Sequence, residues 1–296
     1  MAAAVGMLAQ LGIDSATPVT KRFDFIRGPG PRLMEEFLDG NGLRGTLSHD
    51  ISRNRQGIRR VEGPLTLQPN AVELALLLQW ILGGTPSGTP TVTYPVGDSL
   101  VTRYVECDYN VGSKRSYSGC AVDRAVFRAT QNGFLELDLD VVGQDETVSG
   151  SFPALSIDTA NGPWLLTDCA ITINATTVNP RQVEITIDNR IDKDRFFNSQ
   201  TLVSTVKQDR QITFSCNLPF GDSSALYSAA NSASGVAVVL TWTNANAILT
   251  QTMSKVAAPR RSPEIAGRQE VMWDFVGTAF ANGATKELVT TLNPGP

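Results

Sequence analysis

The stretch that decides the fold is residues 134–141, with the sequence FLELDLDV. Apolar and acidic residues alternate strictly along it, which is the period of a β-strand with one face buried and the other in water. The apolar side chains are predicted to pack into a core. The carboxylates of Glu136, Asp138 and Asp140 are predicted to share the wet face of the strand.

Similar patterning extends over most of the chain and predicts a mainly β protein. Alternation is loose in residues 101–109 and regular in Val183–Ile187, and residues 61–68 have strand-like composition interrupted by a turn or bulge. The predicted strands are residues 61–68, 101–109, 134–141, 170–178, 183–187, 212–218, 236–243, 248–256 and 270–280. The seventh and eighth are expected to form a hairpin across residues 244–246.

Two helices are predicted. The first covers residues 70–82, because Asn70 is a good N-cap, Glu73 completes a capping box, and leucines follow at helical spacing. Gly83 stands where a helix commonly ends in a left-handed glycine. The second predicted helix is residues 222–233, capped by Asp222.

The order of these elements suggests a division of the chain. Residues 1–42 are predicted to be an N-terminal arm, with a helical turn at 33–38, because Gly and Pro at 27–31 interrupt regular structure. Residues 43–147 and 164–296 each contain strands, a capped helix and a closing strand, and residues 148–163 form a polar linker. We therefore expect two similar β units in tandem.

Composition narrows the possible functions. The chain has 296 residues, 42% of them apolar and 18% charged, which excludes a mainly disordered protein. Its 25 basic and 29 acidic residues give a net charge of −4, too little positive charge for a dedicated nucleic-acid binder. No apolar run is long enough to span a membrane, and the N-terminus lacks the basic region of a signal peptide. We therefore expect synthesis in a cytoplasm without membrane insertion.

Catalytic and metal-binding motifs are not expected. The single histidine, His49, would have to serve any Ser-His-Asp triad, and no second histidine exists for a multi-histidine metal site. The four cysteines form no C-x-x-C pair and are predicted to be free and packed, with a Cys107–Cys120 disulfide as the alternative in an oxidising compartment. The acidic strand resembles a D-x-D metal motif, but alternation explains it more simply. We predict a protein that is not an enzyme and has no cofactor or metal.

An arginine-rich segment is the main basic feature. It is read as a loop that meets an acidic neighbouring subunit, as a solvated charged loop, or as a nucleic-acid contact, since guanidinium groups suit phosphate. Its arginines are Arg44, Arg53, Arg55, Arg59 and Arg60.

The tryptophans allow two interpretations. Trp80 ends an apolar helix, and Trp242 and Trp273 lie in predicted strands, so core or interface packing is the expectation for them and for Trp164. The alternative is an exposed platform that binds sugars.

In its succession of segments the chain resembles phage tail tube proteins (major tail proteins) of about this length. The resemblance runs from about residue 40 to 285 and no single motif in it is diagnostic. The segments that carry it are residues 42–46, 61–69, 81–84, 133–143, 183–189, 195–196 and 211–214.

The resemblance implies a fold and a function. Such subunits are β-sandwiches flanked by a helix, whose inner sheets join into a barrel around the lumen of a hollow tube of stacked rings. DNA leaves through that lumen, and an N-terminal arm and long loops bridge the rings. Three chains with two units each, which we favour, or six chains would complete a ring.

Partners and location follow from the same resemblance. The partners would be further copies of the chain, other tail proteins at the tube ends, and DNA in transit, and the location would be the virion tail after assembly in the host cytoplasm. On this view Glu136, Asp138 and Asp140 face the lumen, and the arginine segment lies between subunits. A tail terminator, a distal tail protein and a carbohydrate-binding β-sandwich are the alternatives.

Overall fold

Antiparallel β-strands dominate a computed structural model of the chain. It describes residues 8–28, 30–40, 51, 54–110, 112–150, 152, 162–220, 226–227, 229, 234–259, 261–263, 265, 267–268 and 270–295. The strands are β1 Gln10–Asp14, β2 Arg22–Phe23, β3 Phe25–Arg27, β4 Arg32–Leu38, β5 Arg55–Leu67, β6 Val92–Pro95, β7 Arg103–Asp108, β8 Lys114–Thr130, β9 Glu136–Gly143, β10 Asp145–Ser149, β11 Cys169–Ile173, β12 Thr176–Val178, β13 Gln182–Asp188, β14 Gln211–Pro219, β15 Val236–Asn244, β16 Ala247–Ala257, β17 Met272–Phe280 and β18 Val289–Asn293. Helix α1 is Ala71–Leu82, and Leu166–Asp168 form a 3-10 turn. The prediction of a mainly β fold is confirmed.

The main sheet has six strands in series, β5–β9–β8–β13–β14–β17, and every neighbouring pair is antiparallel. From β17 the pairing continues to β16, which joins a second layer containing β12, β11, β15, β18 and β6. One cluster of buried apolar side chains includes residues from both layers. Within the described residues the strands do not close into a barrel.

Strand β8, which was not predicted from the sequence, is the longest of the described strands and connects two parts of the fold. Its first half pairs with β7 and β10, and its second half pairs with β9 and β13. Gly119 adopts a φ of +60°, and the register shifts between Val122 and Arg124. These irregularities break the alternation of apolar and polar residues, so period-two patterning does not reveal the strand.

Helix α1 forms as predicted. The Asn70 side chain accepts the backbone N–H of Glu73, whose carboxylate accepts the N–H of Asn70, and Gly83 ends the helix with a φ of +76°. The helix contacts β6, β8, β16 and β18, so it packs against both layers. The buried indole N–H of Trp80 donates to the carbonyl of Cys120 at 2.9 Å.

The capping box gives a small, specific stability prediction. Replacing Asn70 with alanine leaves the backbone N–H of Glu73 without its acceptor, and we expect a loss of about 1 kcal/mol in unfolding free energy. Chemical denaturation of both chains measures it, and Asn70→Ser is the control because serine also caps helices. Equal stability of the alanine variant and the original chain would contradict the prediction.

Most of the predicted N-terminal arm that the structure describes lies in the sheet. Leu11 and Ile13 of β1 are fully buried, and β1 pairs with β2 and β7. The predicted helical turn at residues 33–38 is wrong, because β4 pairs with β5 over this stretch. Pairing between distant segments overrides the local helical tendency of Met, Glu and Leu.

Three other local predictions need correction. Residues 61–68 are not interrupted, since Gly63 and Pro64 pair in regular register with Val141 and Asp140. Strand β10 extends through residues 148 and 149 into the predicted linker, and β18 follows the strand expected to close the chain. The hairpin across residues 244–246 is confirmed, with Asn244 paired to Ala247.

The division into two tandem units stays a prediction. Strand β8 pairs with β13 along seven residues of the second half, and the buried cluster contains side chains from both halves. Of the helix predicted at 222–233, residues 226, 227 and 229 are helical, and the others, including Asp222, lie outside the described residues.

Candidate functional site

The predicted acidic strand is β9, and its two faces differ as expected. Leu137, Leu139 and Val141 are buried. Glu136 and Asp138 are partly exposed and Asp140 is exposed, so the three carboxylates share the other face. The structure therefore brings Glu136, Asp138 and Asp140 together on one side of the main sheet.

These carboxylates do not stand alone, because two arginines of β8 lie beside them. Arg128 Nη2 lies 2.6 Å from Asp138 Oδ2 and 3.7 Å from Glu136 Oε2. Arg124 pairs in register with Asp140 on one side and Asp188 on the other. Neither arginine was predicted to belong to this site. The usable signal was their even spacing, which places residues 124, 126 and 128 on one face of a strand.

The remaining strands of the main sheet extend this polar face. By register, residues Gln182, Glu184, Thr186 and Asp188 of β13 lie beside the arginines, followed by alternate residues of β14 and β17. Strands β13, β14 and β17 contain no lysine or arginine. The whole set, which we call the polar face, comprises Glu136, Asp138, Asp140, Arg124, Val126, Arg128, Gln182, Glu184, Thr186, Asp188, Gln211, Thr213, Ser215, Asn217, Asp274, Val276 and Thr278.

The polar face has a net negative charge, since it carries six carboxylates and two guanidinium groups. Its other side chains are mostly short and uncharged. Partial desolvation raises the pKa of Asp140, and the positive charges of Arg124 and Lys193 oppose that rise.

At one end of the sheet this side is covered by the segment that joins β13 to β14. Ile191, Phe196 and Leu202 of that segment bury Ala121 and Val142 in a small apolar cluster. Lys193 Nζ lies 2.8 Å from Asp123 Oδ2 and anchors the segment electrostatically. The uncovered part of the polar face therefore lies toward the other ends of the same strands.

Comparison with known protein families agrees with this architecture. A family described as phage tail tube protein matches residues 5–282, nearly the whole chain. The chain belongs to the phage tail tube protein family. A tail tube protein is a structural component of the virion tail that assembles with other tail proteins, and its family is not a family of enzymes. No curated protein matches the sequence.

The predicted arginine loop of this tail tube protein is partly a strand. Arg44, Arg53 and also His49 lie outside the described residues. Arg55, Arg59 and Arg60 belong to β5, which corrects the expectation of a loop for these three: pairing with β4 orders the backbone there.

Two of these arginines form ion pairs within the chain. Arg59 Nε lies 3.1 Å from Glu35 Oε1 on β4, and Arg60 Nη2 lies 2.8 Å from Asp194 Oδ1. The guanidinium of Arg60 also lies over the ring of Phe196, 5.2 Å from its centre. Both side chains thus have partners within the chain, and their predicted contact with another subunit stays a prediction.

The tryptophans and cysteines of the tail tube chain pack as predicted. All four tryptophans, Trp80, Trp164, Trp242 and Trp273, are buried, so they do not form the exposed platform that a sugar-binding protein needs. All four cysteines are free, and burial raises the pKa of the thiols, that of Cys107 to about 12. Cys107, Cys120 and Cys216 are buried, which makes their thiols poor nucleophiles, whereas Cys169 is partly exposed.

The described residues of the tail tube chain contain neither a candidate metal cluster nor a candidate membrane-spanning helix. No group of three or more His, Cys, Asp or Glu there is placed to hold a metal ion. No helix among them has the length and apolar character needed to cross a membrane.

Proposed function

We propose that copies of this tail tube protein form rings, that the rings stack into a hollow tube, and that the polar face lines the lumen through which DNA leaves. The observation that carries the proposal is the polar face itself. A sheet of six strands has one side packed on the core, while the other presents alternate polar side chains from five neighbouring strands. Such a side suits a water-filled channel.

The charges of the polar face support passage of DNA. Each carboxylate repels the phosphate backbone, whereas lysine or arginine would bind it by releasing counterions. Arg124 and Arg128 are held between acidic residues of β9 and β13. Strands β13, β14 and β17 contain no lysine or arginine, and the guanidinium of Arg190, just after β13, contacts Asp188 and Gln211. DNA would therefore slide along this face without being retained.

The edge of the main sheet supports ring formation. Strand β4 pairs with β5 on one side, and no described strand pairs with its other side. Met34, Phe37 and Leu38 of this edge are exposed. An exposed apolar edge strand is a template for pairing with another chain, and closing the sheets of several copies into a ring removes the edge. The similar order of elements in the two halves favours three chains over six.

Placing lysines on the polar face tests the lumen. Thr213 and Ser215 lie on this face of β14, so Thr213→Lys/Ser215→Lys adds two positive charges per chain there. We expect the variant tubes to retain at least about tenfold more short double-stranded DNA than unmodified tubes at low salt, with the excess lost as salt rises. Co-sedimentation of labelled DNA with tubes measures this. Reversing Asp138 is a poorer test, because it breaks the contacts with Thr66 and Arg128.

The matched control puts the same charges on the second layer. Thr176 and Thr177 of β12 are exposed, and tubes of Thr176→Lys/Thr177→Lys should leave DNA in the supernatant as unmodified tubes do. Equal DNA retention by the two double variants would show that the polar face is not the lumen. A folded Thr213→Lys/Ser215→Lys chain that forms no tubes would show that the face is an interface between subunits.

A further inference from the structure

An exposed aromatic side chain stands at the tip of the segment between β13 and β14. Phe197 is 73% exposed and has a φ of +48°. Left-handed backbone is costly for a bulky residue and persists only where the surroundings impose it, often at sites of interaction. The backbone therefore holds the ring of Phe197 away from the core and in contact with solvent.

The surroundings of Phe197 are firmly held. The N–H of Val203 donates to the carbonyl of Arg195 at 3.0 Å, and that of Ser199 donates to the carbonyl of Phe196 at 2.8 Å. The guanidinium of Arg195 lies over the ring of Phe197, 5.2 Å from its centre. A side chain ordered before binding loses little conformational entropy when a partner covers it, so it contributes more to affinity.

A pocket of about 350 Å³ lies at the other end of the same strands. A cavity of about 150 Å³ is enough to bind benzene, so this one has room for a phenyl ring and part of its backbone. Residues on its rim include Gln131 and Asn132 of the turn before β9, and Arg181 just before β13. The apolar and thiol side chains that line it are Leu166, Cys169, Ile171, Val178, Pro180 and Pro219.

Topology keeps Phe197 away from the pocket of its own chain. The pocket includes Arg181 and Pro219, next to the start of β13 and at the end of β14, whereas Phe197 follows the end of β13. The seven residues of β13 separate the two by about 20 Å. A protrusion at one end and a pocket at the other can make a head-to-tail contact, which builds a linear stack when its repetition does not close into a ring.

We propose that Phe197 of one copy inserts into this pocket of the next copy along the tube, an inference that rests on the proposed function. Charged side chains lie beside both parts of this contact. Arg195 lies over the protruding ring, and Arg181 lines the pocket. Within the chain Asp194 pairs with Arg60, and Glu270 pairs with Arg181, each at 2.8 Å. A contact between copies would bring Arg195 toward Glu270 and Asp194 toward Arg181, so that opposite charges extend these ion pairs across the contact.

Removing the ring tests the contact. Phe197→Ser should leave the melting temperature and the rings unchanged and reduce tubes to single rings or short stacks, as seen by electron microscopy. Val72→Ser, which removes an exposed apolar side chain from α1, is the control and should leave tubes at full length. Full-length tubes from Phe197→Ser would overturn the proposal.

Cross-linking tests the same contact without requiring tubes. Cys169 lines the pocket, so Phe197→Cys should form a disulfide with Cys169 of another copy when diamide oxidises the two thiols and is itself reduced. Burial raises the pKa of Cys169, so the reaction is run at alkaline pH. We expect a ladder of covalent multimers that disappears in Phe197→Cys/Cys169→Ser.

The two experiments separate failure of this proposal from failure of the proposed function. Tubes that form without any Cys169-dependent ladder would overturn the contact and leave the tube intact. A Cys169-dependent ladder from a chain that forms no rings or tubes would support the contact and overturn the proposed function.

Discussion

Replacing Glu106 with leucine is expected to destabilise the chain by about 3–5 kcal/mol, because it leaves a buried ammonium without its counter-charge. Glu106 is 0% exposed, and its Oε2 lies 2.6 Å from Nζ of Lys114, which is also buried. The hydroxyl of Thr17 donates to Oε1 of the same carboxylate at 2.8 Å. One carboxylate thus joins β7, β8 and the segment after β1. Chemical denaturation followed by tryptophan fluorescence measures the loss.

A double variant serves as the control for the charge argument. Glu106→Leu/Lys114→Met removes both charges and keeps the volume, so it should recover most of the stability lost by Glu106→Leu alone. If the double variant is as unstable as the single one, loss of packing and of the bonds from Thr17 and Ser116 is the cause, and the explanation by an unpaired charge is wrong.

Replacing Phe37 with aspartate is expected to abolish rings without unfolding the chain. Phe37 is 67% exposed on the free edge of β4, so the isolated subunit loses little when a charge replaces it. In a ring the same edge would be covered, and burying an unpaired carboxylate opposes association. Because every ring repeats the contact, we expect the concentration needed for assembly to rise by at least about 100-fold, which is about 2.7 kcal/mol per contact.

Sedimentation velocity over a range of concentrations measures ring formation, and thermal melting confirms the fold. Val72→Asp is the matched control, because it puts the same charge in the first turn of α1, where the helix dipole favours an acid. Rings formed by Phe37→Asp at the usual concentration would show that the β4 edge is not where subunits join.

The variants of Phe37 and Phe197 separate two steps of assembly. Phe37 lies on the side edge of the main sheet, and Phe197 lies beyond the end of β13. Replacing Phe37 with aspartate should stop rings from closing, whereas replacing Phe197 with serine should leave rings that do not stack. If both variants stop ring closure, the segment after β13 would join subunits within a ring instead of between rings.

The local features of the site were predictable from the sequence. Strict alternation over residues 134–141 predicted which side chains of β9 are buried, and Asn70 with Glu73 predicted the start of α1, both confirmed. These signals are local, since strand periodicity and a capping box involve neighbours within a few residues of each other.

The partners of that strand were not predictable. Arg124 and Arg128 lie beside the acidic residues because β8 pairs with β9. Strand β8 was not predicted because Gly119 adopts a left-handed φ and the register shifts near Asp123, so its apolar and polar residues do not alternate regularly. The stretch at residues 33–38 is a strand because β5 pairs with it. In both places, contacts between segments distant in sequence decide the structure.

The sequence by itself determined a mainly β chain, an acidic strand face and a capped helix, because each depends on spacing along the chain. Only the tertiary structure decided that the acidic face extends over β13, β14 and β17. It also decided that Arg59 and Arg60 form ion pairs within the chain, and that Phe197 and the pocket lie at opposite ends of β13. The physical reason is that sheet pairing and register join segments far apart in sequence, and side-chain periodicity within one strand carries no information about its neighbour.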